Sequence, residues 1–369
     1  MRILYIEPFH GGSHQSFGDA LMSGVDAEWT ALTLPSRHWK WRMRGSAAWF
    51  AMEHAAALAA EHDLVFASSY LPLAELVGLC PALGRIPRVL YFHENQLAYP
   101  VRDAWSGERD THFGFTQLVS TLSATRCVFN SRFNLESFLG AAETLLGRLP
   151  DAVPGGWVEG VRAKSEVLGV PLDLPEDPGG LEERGGDRSQ GPTIVWNHRW
   201  EFDKNPDGFF EALGRLKARG VPFRLVVCGE RFRKAPATFA QARERLKDHI
   251  DHWGYAADRS RYEGLLSSAD IAVSTAHHEF FGVAMLEACH FGARPLVPDR
   301  LAYREIFPDA LRYGSDEALA DELERLCRGW VEGREVLRAD RRAITRPHLT
   351  GSLLPRYAAL FQRVVGAGV

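Results

Sequence analysis

Two carboxylates in the second half of the chain have the spacing expected of a sugar-binding site. Glu279 and Glu287 lie on a predicted loop and a predicted helix, and the residues between them include Phe281, Gly282 and Val283. The apolar run 269–275 before them predicts a buried strand. A strand that leads through a short loop into a helix presents backbone N–H groups to an anion, and carboxylates accept hydrogen bonds from sugar hydroxyls. The pattern fits a nucleotide-sugar, but it also fits a buried strand followed by a helix with solvated glutamates.

A second pair of charged residues has the types needed to bind a pyrophosphate. Arg199 and Lys204 follow a strand predicted at residues 193–197. Arginine can bind phosphate oxygens with two parallel hydrogen bonds, and lysine acts as a point charge. Cancelling the charge on a leaving nucleoside diphosphate contributes several kcal/mol in a site without water. An arginine and a lysine on a loop are also common on solvated surfaces, so both interpretations stay open.

Weaker candidates follow other predicted strands. Glycine permits a close backbone approach to a phosphate or a sugar, and the glycines in such places are Gly11, Gly12 and Gly229. The residues with the types needed to stack on or frame a base are Trp253, Gly254 and Tyr255. His93, Asn95 and Gln96 belong to a polar run after the predicted strand 88–92. Ligands of parallel sheets bind at such strand ends, although a lone histidine there can equally be a packed or capping residue.

Residues 34–44 interleave cations with aromatic rings. The members of this run that could contact a nucleic acid are Arg37, Trp39, Lys40, Trp41, Arg42 and Arg44. Cations meet phosphates while rings stack on bases, which contributes about 1–3 kcal/mol per stacked base. The run therefore fits single-stranded nucleic acid. The alternative is an amphipathic segment whose tryptophans pack into the core while the arginines face water.

The elements that must position these residues alternate along the chain. Predicted strands and helices follow one another in both halves, including a helix at 47–61, and this alternation favours parallel sheets covered on both faces. The stretch 171–192 is rich in proline, glycine and acidic residues and predicts a mobile linker. We therefore predict an α/β fold with two doubly wound Rossmann-like domains that face each other across a cleft. Their bounds are 1–168 and 193–345, with the linker at 169–192.

Composition describes an ordinary globular protein. The 369 residues suffice for two domains, and 46% are hydrophobic and 24% charged. No apolar stretch reaches transmembrane length, so we expect no membrane insertion. The five cysteines are scattered and unpaired at metal spacing, which indicates reduced thiols and, without a signal-peptide pattern, a cytoplasmic location. The net charge of −4 does not attract nucleic acid overall, but a local basic patch can still bind it.

The carboxylate pair carries a first resemblance. Glu279 and Glu287, with Phe-Gly between them, resemble the paired-glutamate signature of the retaining nucleotide-sugar glycosyltransferases of family 4. The resemblance implies a GT-B fold in which Glu279 contacts the donor hexose and Glu287 the ribose. Arg199 and Lys204 match the phosphate-binding pair of that family.

The same resemblance implies a mechanism. A histidine at the place of His93 touches the donor sugar in the family, so the implied catalytic set is Glu279, Arg199, Lys204 and His93. Retaining enzymes of this fold are usually interpreted as using front-face attack, in which the departing phosphate oxygen takes the acceptor's proton. We therefore expect no metal and no cofactor. The implied donor site comprises Gly11, Gly12, Arg199, Lys204, Gly229, Trp253, Gly254, Tyr255, Glu279, Phe281, Gly282, Val283 and Glu287.

Four segments carry a second, narrower resemblance. Residues 6–14, 34–44, 91–100 and 277–287 are similar to the tRNA-queuosine α-mannosyltransferase branch of these enzymes, and residues 130–138 and 198–204 extend the similarity. Members transfer mannose from GDP-mannose to the cyclopentenediol of queuosine at the wobble position of a tRNA. The resemblance implies that the first domain binds this tRNA, the second binds the nucleotide-sugar, and the C-terminal segment 346–369 forms a helix that braces the first domain.

The implied acceptor site includes the basic aromatic run and the polar strand-end residues. Its members are His14, Arg37, Trp39, Lys40, Trp41, Arg42, Arg44, Asn95 and Gln96. Two other hypotheses stay open. One is a family 4 glycosyltransferase with another donor and a lipid or small-molecule acceptor, which an exposed apolar patch near the acceptor site would favour. The other is a non-catalytic protein of the same fold that binds RNA or a nucleotide-sugar.

Overall fold

The computed structural model describes residues 1–99, 111–179, 187–230 and 236–369. The chain folds into two compact units, each built on a six-stranded sheet. The first unit comprises Met1–Asp173 and His348–Val369, and the second comprises Leu174–Pro347. The boundary after Asp173 lies inside the predicted linker, and the boundary after Pro347 lies two residues beyond the predicted end of the second domain at 345.

The first sheet is entirely parallel, with the strand order β2-β1-β3-β4-β5-β6. Its strands are β1 (Arg2–His10), β2 (Glu28–Pro35), β3 (Leu64–Ser68), β4 (Arg88–Phe92), β5 (Arg126–Phe129) and β6 (Ser165–Val167). Every residue of β3 and β4 is buried, as expected for strands covered on both faces. The chain order reverses between β1 and β3, so the ends of these strands form a topological switch point, where ligands of such sheets bind.

The helices of the first unit follow its strands. They are α1 (Ser13–Gly24), α2 (Trp39–Glu53), α3 (Ala55–Ala59), α4 (Leu73–Leu79), α5 (His112–Ser123), α6 (Arg132–Leu146) and α7 (Trp157–Ala163). The left-handed backbone of Gly12, with a φ of 54°, lies directly before α1, a conformation that glycine adopts at no steric cost. Ser131 caps α6 by accepting a hydrogen bond from the N–H of Asn134.

The second sheet is also parallel in every pairing, with the order β12-β11-β10-β7-β8-β9. Its strands are β7 (Thr193–Trp196), β8 (Arg224–Cys228), β9 (Ile250–Gly254), β10 (Ile271–Val273), β11 (Arg294–Pro298) and β12 (Arg312–Tyr313). Its helices are α8 (Pro206–Ala218), α9 (Thr238–Arg245), α10 (Arg259–Ser268), α11 (Val283–His290), α12 (Tyr303–Ile306), α13 (Asp316–Val331) and α14 (Arg342–Thr345). The switch point lies between β7 and β10. The predicted pair of Rossmann-like sheets is confirmed.

The last helix, α15 (Thr350–Ala367), belongs to the first unit. Tyr357 is fully buried, and its hydroxyl donates to the carbonyl oxygen of Gly169 at 2.8 Å. Phe361 packs edge-on against Phe66 of β3, with ring centroids 5.5 Å apart. The C-terminal segment thus completes the core of the N-terminal unit.

Two local predictions were wrong. The helix predicted at 47–61 begins at Trp39, because only Gly45 interrupts good helix formers there, and one glycine costs about 1 kcal/mol. The segment predicted to be a mobile linker contains packed residues: Leu172 and Leu174 are 4% and 7% exposed. The N–H of Leu172 donates to the carbonyl of His348 at 2.8 Å, so this part is held by the chain's C-terminal return. Residues 180–186 of that segment, and Pro100 of the run 91–100, lie outside the described residues.

Candidate active site

Two loops that carry predicted donor residues meet at the topological switch point of the second unit. They leave the carboxyl ends of the neighbouring strands β7 and β10, and direct hydrogen bonds join them. The hydroxyl of Thr275 donates to the carbonyl oxygens of Lys204 and Asn205, both at 2.9 Å. The N–H of His277 donates to the carbonyl of Asp203 at 2.8 Å. The sheet order therefore brings residues 198–205 and 274–282 together, although they are distant in sequence.

Lys204 and Glu279 form a buried ion pair at the centre of this site. The Lys204 Nζ atom lies 3.2 Å from Glu279 Oε2 and 3.3 Å from Asp203 Oδ2. It also donates to the carbonyl oxygen of His278 at 2.9 Å. Two of these oxygens, Glu279 Oε2 and the carbonyl of His278, accept hydrogen bonds from the ammonium, and the contact with Asp203 is an ion pair without a hydrogen bond. Lys204 was predicted to reach a pyrophosphate, but here its hydrogens are directed to Glu279 and its neighbours.

The pair fixes the charge on both partners. Burial would raise the pKa of Glu279, but the charge on Lys204, together with His198 and the N–H of Phe281, lowers that pKa to about 2. Burial likewise opposes the charged form of Lys204, and the carboxylates of Glu279 and Asp203 raise its pKa above the ordinary value. Beside them, burial and the Lys204 charge lower the pKa of His198 to about 4. Glu279 and Lys204 are thus charged and His198 neutral at neutral pH.

The backbone donors that precede α11 are occupied by Glu279. Its Oε1 atom accepts from the N–H groups of Phe281 and Gly282, at 3.3 Å and 3.1 Å. We expected these N–H groups to bind the anion of a ligand. In this structure, the anion that they bind is the carboxylate of Glu279. Gly282 has a φ of 99°, and a Cβ there would lie 2.9 Å from the ring of Tyr303, so this turn requires glycine.

Arg199 is the accessible cation of the predicted phosphate pair. Its side chain is 49% exposed, and its Nη2 atom lies 3.2 Å from Glu201 Oε2. An exposed guanidinium can rotate towards an incoming phosphate and bind two of its oxygens. In contrast to the Lys204 side chain, which is 10% exposed, that of Arg199 is therefore accessible from solvent.

Glu287 is held by two side chains of α10. Its Oε1 atom accepts from Arg259 Nη1 at 2.8 Å, and its Oε2 atom accepts from the Tyr262 hydroxyl at 2.7 Å. The amide of Asn197 donates to the same hydroxyl at 3.0 Å and to the carbonyl of Ala284 at 2.8 Å. Glu287 is only 9% exposed. Its carboxylate is therefore fixed in orientation.

The weaker donor candidates of the second unit separate into structural and accessible residues. Gly229 is required by packing, since a Cβ there would lie 1.9 Å from the carbonyl oxygen of His198. Trp253 is partly buried and stacks on Phe210, with ring centroids 5.6 Å apart. Tyr255, which is 72% exposed, follows the positive-φ turn at Gly254. The ring available to a base in this segment is therefore that of Tyr255, whereas Trp253 belongs to the core.

In the first unit, the switch point brings together Glu7, His14 and His93. Glu7 on β1 is fully buried, and its Oε2 atom lies 3.1 Å from Nδ1 of His14 and 3.9 Å from Nε2 of His93. The two imidazole rings are stacked, with centroids 3.9 Å apart. Burial, and then the neighbouring His14, lower the pKa of His93 well below its ordinary value. His93 is therefore neutral at physiological pH.

The carboxylate oxygen and the two ring nitrogens of this cluster lie within 4.8 Å of one another. We predicted no metal from sequence motifs, and metal independence stays a prediction. Gly11 and Gly12 lie between β1 and α1, and a Cβ on Gly11 would lie 2.0 Å from the Ser36 hydroxyl. Both glycines thus shape the connection that brings His14 to Glu7.

The two polar residues after His93 have different environments. Asn95 is fully buried, and its amide donates to Asn134 Oδ1 at 2.9 Å and to Ser137 Oγ at 3.1 Å. Its own oxygen accepts from the N–H of Ala98 at 2.7 Å. This leaves no amide group for a substrate, so we assign Asn95 to the support of the loop and not to acceptor binding. Gln96 is partly exposed and donates to Glu94 Oε1 at 2.8 Å.

The basic aromatic run lies on the loop after β2 and the first turns of α2, and its outer face is exposed. Trp41 is 65% exposed and Trp39 36%. The ammonium of Lys40 lies 5.6 Å from the ring centroid of Trp39, and the guanidinium of Arg44 lies 5.1 Å from that of Phe113. Arg37 is also exposed, and Arg42 donates to the carbonyl of Pro35 at 3.2 Å. The alternative in which both tryptophans pack into the core is therefore wrong.

Sequence reasoning missed several residues that hold these sites. They are Glu7, Ser68, Asn197, Asp203, Arg259 and Tyr262. Glu7 carried a detectable signal, because a carboxylate in the otherwise apolar start of a strand needs a partner once it is buried. Arg259 and Tyr262 carried none, since they look like ordinary residues of an exposed helix.

Two general expectations concern thiols and membranes. All five cysteines are free, and burial raises the pKa of Cys127 to about 12, so this thiol is a packing residue. In the part of the chain that the structure describes, no helix combines the length and the apolar character needed to cross a membrane.

Comparison with known families divides the chain as the structure does. Residues 2–172 match the family model of the tRNA-queuosine alpha-mannosyltransferase N-terminal domain, and residues 182–343 match that of the glycosyl transferases group 1. The tRNA-queuosine alpha-mannosyltransferase of Drosophila melanogaster is 39% identical over 336 residues, covering 88% of this chain and 87% of that protein. A GDP-mannose-dependent alpha-(1-6)-phosphatidylinositol dimannoside mannosyltransferase of Mycobacterium tuberculosis is 36% identical over 113 residues, or 31% of this chain and 29% of that protein.

Solved structures show the same fold at low sequence identity. Sucrose-phosphate synthase of Thermosynechococcus elongatus aligns over 100% of both chains with a TM-score of 0.71 and 13% identity. Anabaena HepE in complex with UDP aligns over 98% of this chain and 100% of its own, with a TM-score of 0.68 and 14% identity. The similarity to the Drosophila protein covers most of both chains. The chain therefore belongs to the tRNA-queuosine alpha-mannosyltransferase family and has the GT-B glycosyltransferase fold.

Proposed function

We propose that this protein transfers mannose from GDP-mannose to the cyclopentenediol of queuosine at the wobble position of a tRNA, with retention of the α-configuration. The observation that carries the proposal is the similarity to the Drosophila enzyme over most of both chains. Similarity confined to the second unit would support only the binding of a nucleotide-sugar donor. Here the first unit, which carries the basic aromatic surface, matches the N-terminal model of the same family.

In this proposal the second unit binds the donor. Glu279, kept ionised by Lys204, accepts hydrogen bonds from hexose hydroxyls, and Glu287 accepts those of the ribose. Arg199 binds the pyrophosphate and stabilises the charge that develops as the nucleoside diphosphate leaves. Lys204 contributes a positive charge at the same place, and two of its hydrogens are already bound to Glu279 and to the carbonyl of His278. GDP-mannose as donor is supported by the similarity to the mycobacterial enzyme, which is a GDP-mannose-dependent mannosyltransferase.

The acceptor is proposed to bind on the first unit. The exposed faces of Trp39 and Trp41 are available to stack on bases of an anticodon loop. The surrounding cations, Arg37, Lys40 and Arg44, are positioned to meet its phosphates. We propose a cytoplasmic location, where charged nucleotide-sugars and tRNA meet, and activity without a metal.

The test is a transfer assay with the purified protein, GDP-mannose and queuosine-containing tRNA, followed by mass analysis of the nucleosides. We expect a queuosine that has gained one hexose. The matched control is the same tRNA with guanosine at the wobble position, which lacks the cyclopentenediol and should remain unmodified.

The alternatives give different results in the same assay. Transfer from another nucleotide-sugar to the same nucleoside would replace the donor in the proposal. Turnover of GDP-mannose only with a lipid or small-molecule acceptor would contradict the tRNA. Tight binding of GDP-mannose without turnover on any acceptor would favour a binding protein.

A further inference from the structure

The buried carboxylate of Glu7 is organised to leave one oxygen for His14. Its Oε1 atom accepts from the N–H of Phe9 at 2.8 Å and from the hydroxyl of Ser68 at 2.9 Å. Its Oε2 atom lies 3.1 Å from Nδ1 of His14. An ionised carboxylate can only accept hydrogen bonds, so Nδ1 of His14 must carry a hydrogen. The other nitrogen of the ring, Nε2, is then left with a free lone pair.

His93 provides a neutral surface beside this pair. Its ring stacks on that of His14 at an interplanar angle of 26°, and it is 8% exposed. Its Nε2 atom has no hydrogen-bond partner, and the 3.9 Å to Glu7 Oε2 is too long for a hydrogen bond. If His14 gains a proton, the imidazolium faces the Glu7 carboxylate and the π-face of a neutral ring, and both stabilise it. The cluster is therefore built to accept one additional proton, on His14.

We propose that His14, oriented by Glu7, accepts the proton of the acceptor hydroxyl during sugar transfer. This inference rests on the proposed function and replaces the expectation that the departing phosphate oxygen takes that proton. The O–H bond of the acceptor breaks, and its electron pair forms the new bond to the anomeric carbon on the face from which the phosphate departs, so that the α-configuration is retained. The bond from that carbon to the phosphate oxygen breaks, and the nucleoside diphosphate leaves with the electron pair. The proton is held on Nε2 of His14 and then passes to water.

The remaining groups that face the two rings do not compete for this proton. Tyr70, which follows β3, approaches His14 edge-on with centroids 5.3 Å apart, and its hydroxyl donates to Glu94 at 2.7 Å. Burial, followed by the charge of Glu94, raises the pKa of Tyr70 well above its ordinary value. Tyr91 of β4 lies edge-on to His93 at 4.7 Å, and burial also raises its pKa. Glu7 is therefore the one carboxylate that hydrogen-bonds to His14 among the described residues.

A metal ion is the competing use of these three residues, and ring geometry disfavours it. An imidazole nitrogen binds a metal through a lone pair in the plane of its ring, at about 2.0–2.1 Å. The rings of His14 and His93 are stacked 3.9 Å apart and nearly parallel, so their lone pairs lie along nearly parallel lines and do not converge on one point. The hydrogen bond from His14 to Glu7 also occupies the nitrogen that would have to bind the ion.

The test compares the pH dependence of kcat in the wild-type protein, His14→Gln and Glu7→Gln, with saturating GDP-mannose and tRNA. We expect the wild-type kcat to fall on the acid side as one group becomes protonated. His14→Gln should lose about 10²–10⁴-fold in kcat, keep its KM values and lose that acid limb. Glu7→Gln should move the limb to lower pH, because a neutral amide no longer stabilises the imidazolium. His10→Gln, a neighbouring histidine paired with Asp19 at 3.8 Å, should behave as wild type.

Further measurements separate a chemical role from loss of folding and from a metal. Added imidazole should restore part of the kcat of His14→Ala, which a merely structural defect does not allow. An unchanged kcat in His14→Gln, or an unaltered acid limb, would overturn the proposal. So would one equivalent of bound zinc that is lost in Glu7→Gln and required for transfer. Absence of transfer by the wild-type protein would instead contradict the proposed function, and the proton-acceptor role with it.

Discussion

The two units present charged side chains at the same topological position, but they neutralise charge in different ways. In the second unit, the ammonium of Lys204 lies between the carboxylates of Asp203 and Glu279. In the first, the carboxylate of Glu7 faces the imidazole of His14, which stacks on His93. Lysine and glutamate titrate far from neutral pH, whereas histidine titrates close to it. The second unit is therefore suited to hold fixed charges, and the first to exchange a proton.

The two units also differ in the side chains that they expose to solvent. The second unit encloses its carboxylates in a network of short hydrogen bonds and exposes a single arginine of the predicted phosphate pair, Arg199. The first unit adds an exposed surface of rings and cations around Trp41 to its buried cluster. A small, charged ligand needs a few fixed partners, whereas a long, flexible polyanion needs an extended surface. Variants that affect one unit only test this difference between the units.

The largest effect is expected from Glu279→Gln. Removing one partner of a buried ion pair costs about 3–5 kcal/mol in stability, and losing a group that binds the reacting sugar costs at least about 100-fold in kcat. The measurements are thermal unfolding and transfer from GDP-mannose. Glu211→Gln, in the exposed pair with Arg215, is the matched control and should change neither by much. tRNA binding should survive in both variants, and its loss in a folded Glu279→Gln would contradict the division between the units.

Trp41→Ala should weaken tRNA binding without affecting the donor. Loss of one stacked base costs about 1–3 kcal/mol, which corresponds to a rise of about fivefold to 150-fold in the Kd for tRNA. The Kd is measured by anisotropy at fixed salt, and the KM for GDP-mannose is measured in the same preparation. Trp49→Ala removes a 40% exposed tryptophan of the same helix, outside the basic run, and is the matched control. Equal losses in the two variants would show that neither ring marks the tRNA site.

The stability of the first unit should depend on pH through His93. Because its pKa is lowered in the folded state, the unfolded chain binds a proton first as the pH falls through about 6.5. The contribution of His93 is therefore complete above that pH and is lost below it, by up to about 1.4 kcal/mol per pH unit. His93→Gln should lack this loss, so its destabilisation relative to wild type should shrink between pH 7 and pH 5. Chemical denaturation at pH 7 and pH 5 measures the free energy of unfolding of both proteins. The destabilisation of His93→Gln should be nearly the same at pH 8 as at pH 7.

The smallest effect is expected from Tyr262→Phe, which removes one hydrogen bond to Glu287. A hydrogen bond to a charged group contributes about 1.5 kcal/mol or more in favourable cases, and one of two partners remains in Arg259. We expect the KM for GDP-mannose to rise about tenfold, with kcat nearly unchanged. Tyr357→Phe removes a buried hydroxyl of the first unit and should leave that KM unaltered. A change in kcat alone would place Glu287 in the chemical step instead of ribose binding.

Much of the fold and part of the site could be predicted. The alternation of strands and helices predicted both sheets, because its periodicity is local to each segment. Lys204 and Glu279 were expected near each other because both follow predicted strands, and the structure brings them within 3.2 Å. The direction of Asn95 could not be predicted, because a polar residue in a loop can point inwards or outwards. Its burial is decided by Asn134 and Ser137 of a distant helix.

The sequence alone was sufficient to infer the class of fold, the strand ends at which the polar residues lie, and the family to which the chain belongs. These follow from local periodicity and from residue types at fixed spacing. The meeting of Glu7, Ser68, His14 and His93 depends on the tertiary structure. These residues lie on or after three different strands, and no single segment of the sequence specifies the order of strands in the sheet. The same holds for the ion pair of Lys204, whose partner Glu279 lies 75 residues away. Proton transfer and charge neutralisation act over a few ångströms, so both depend on neighbours that only folding brings together.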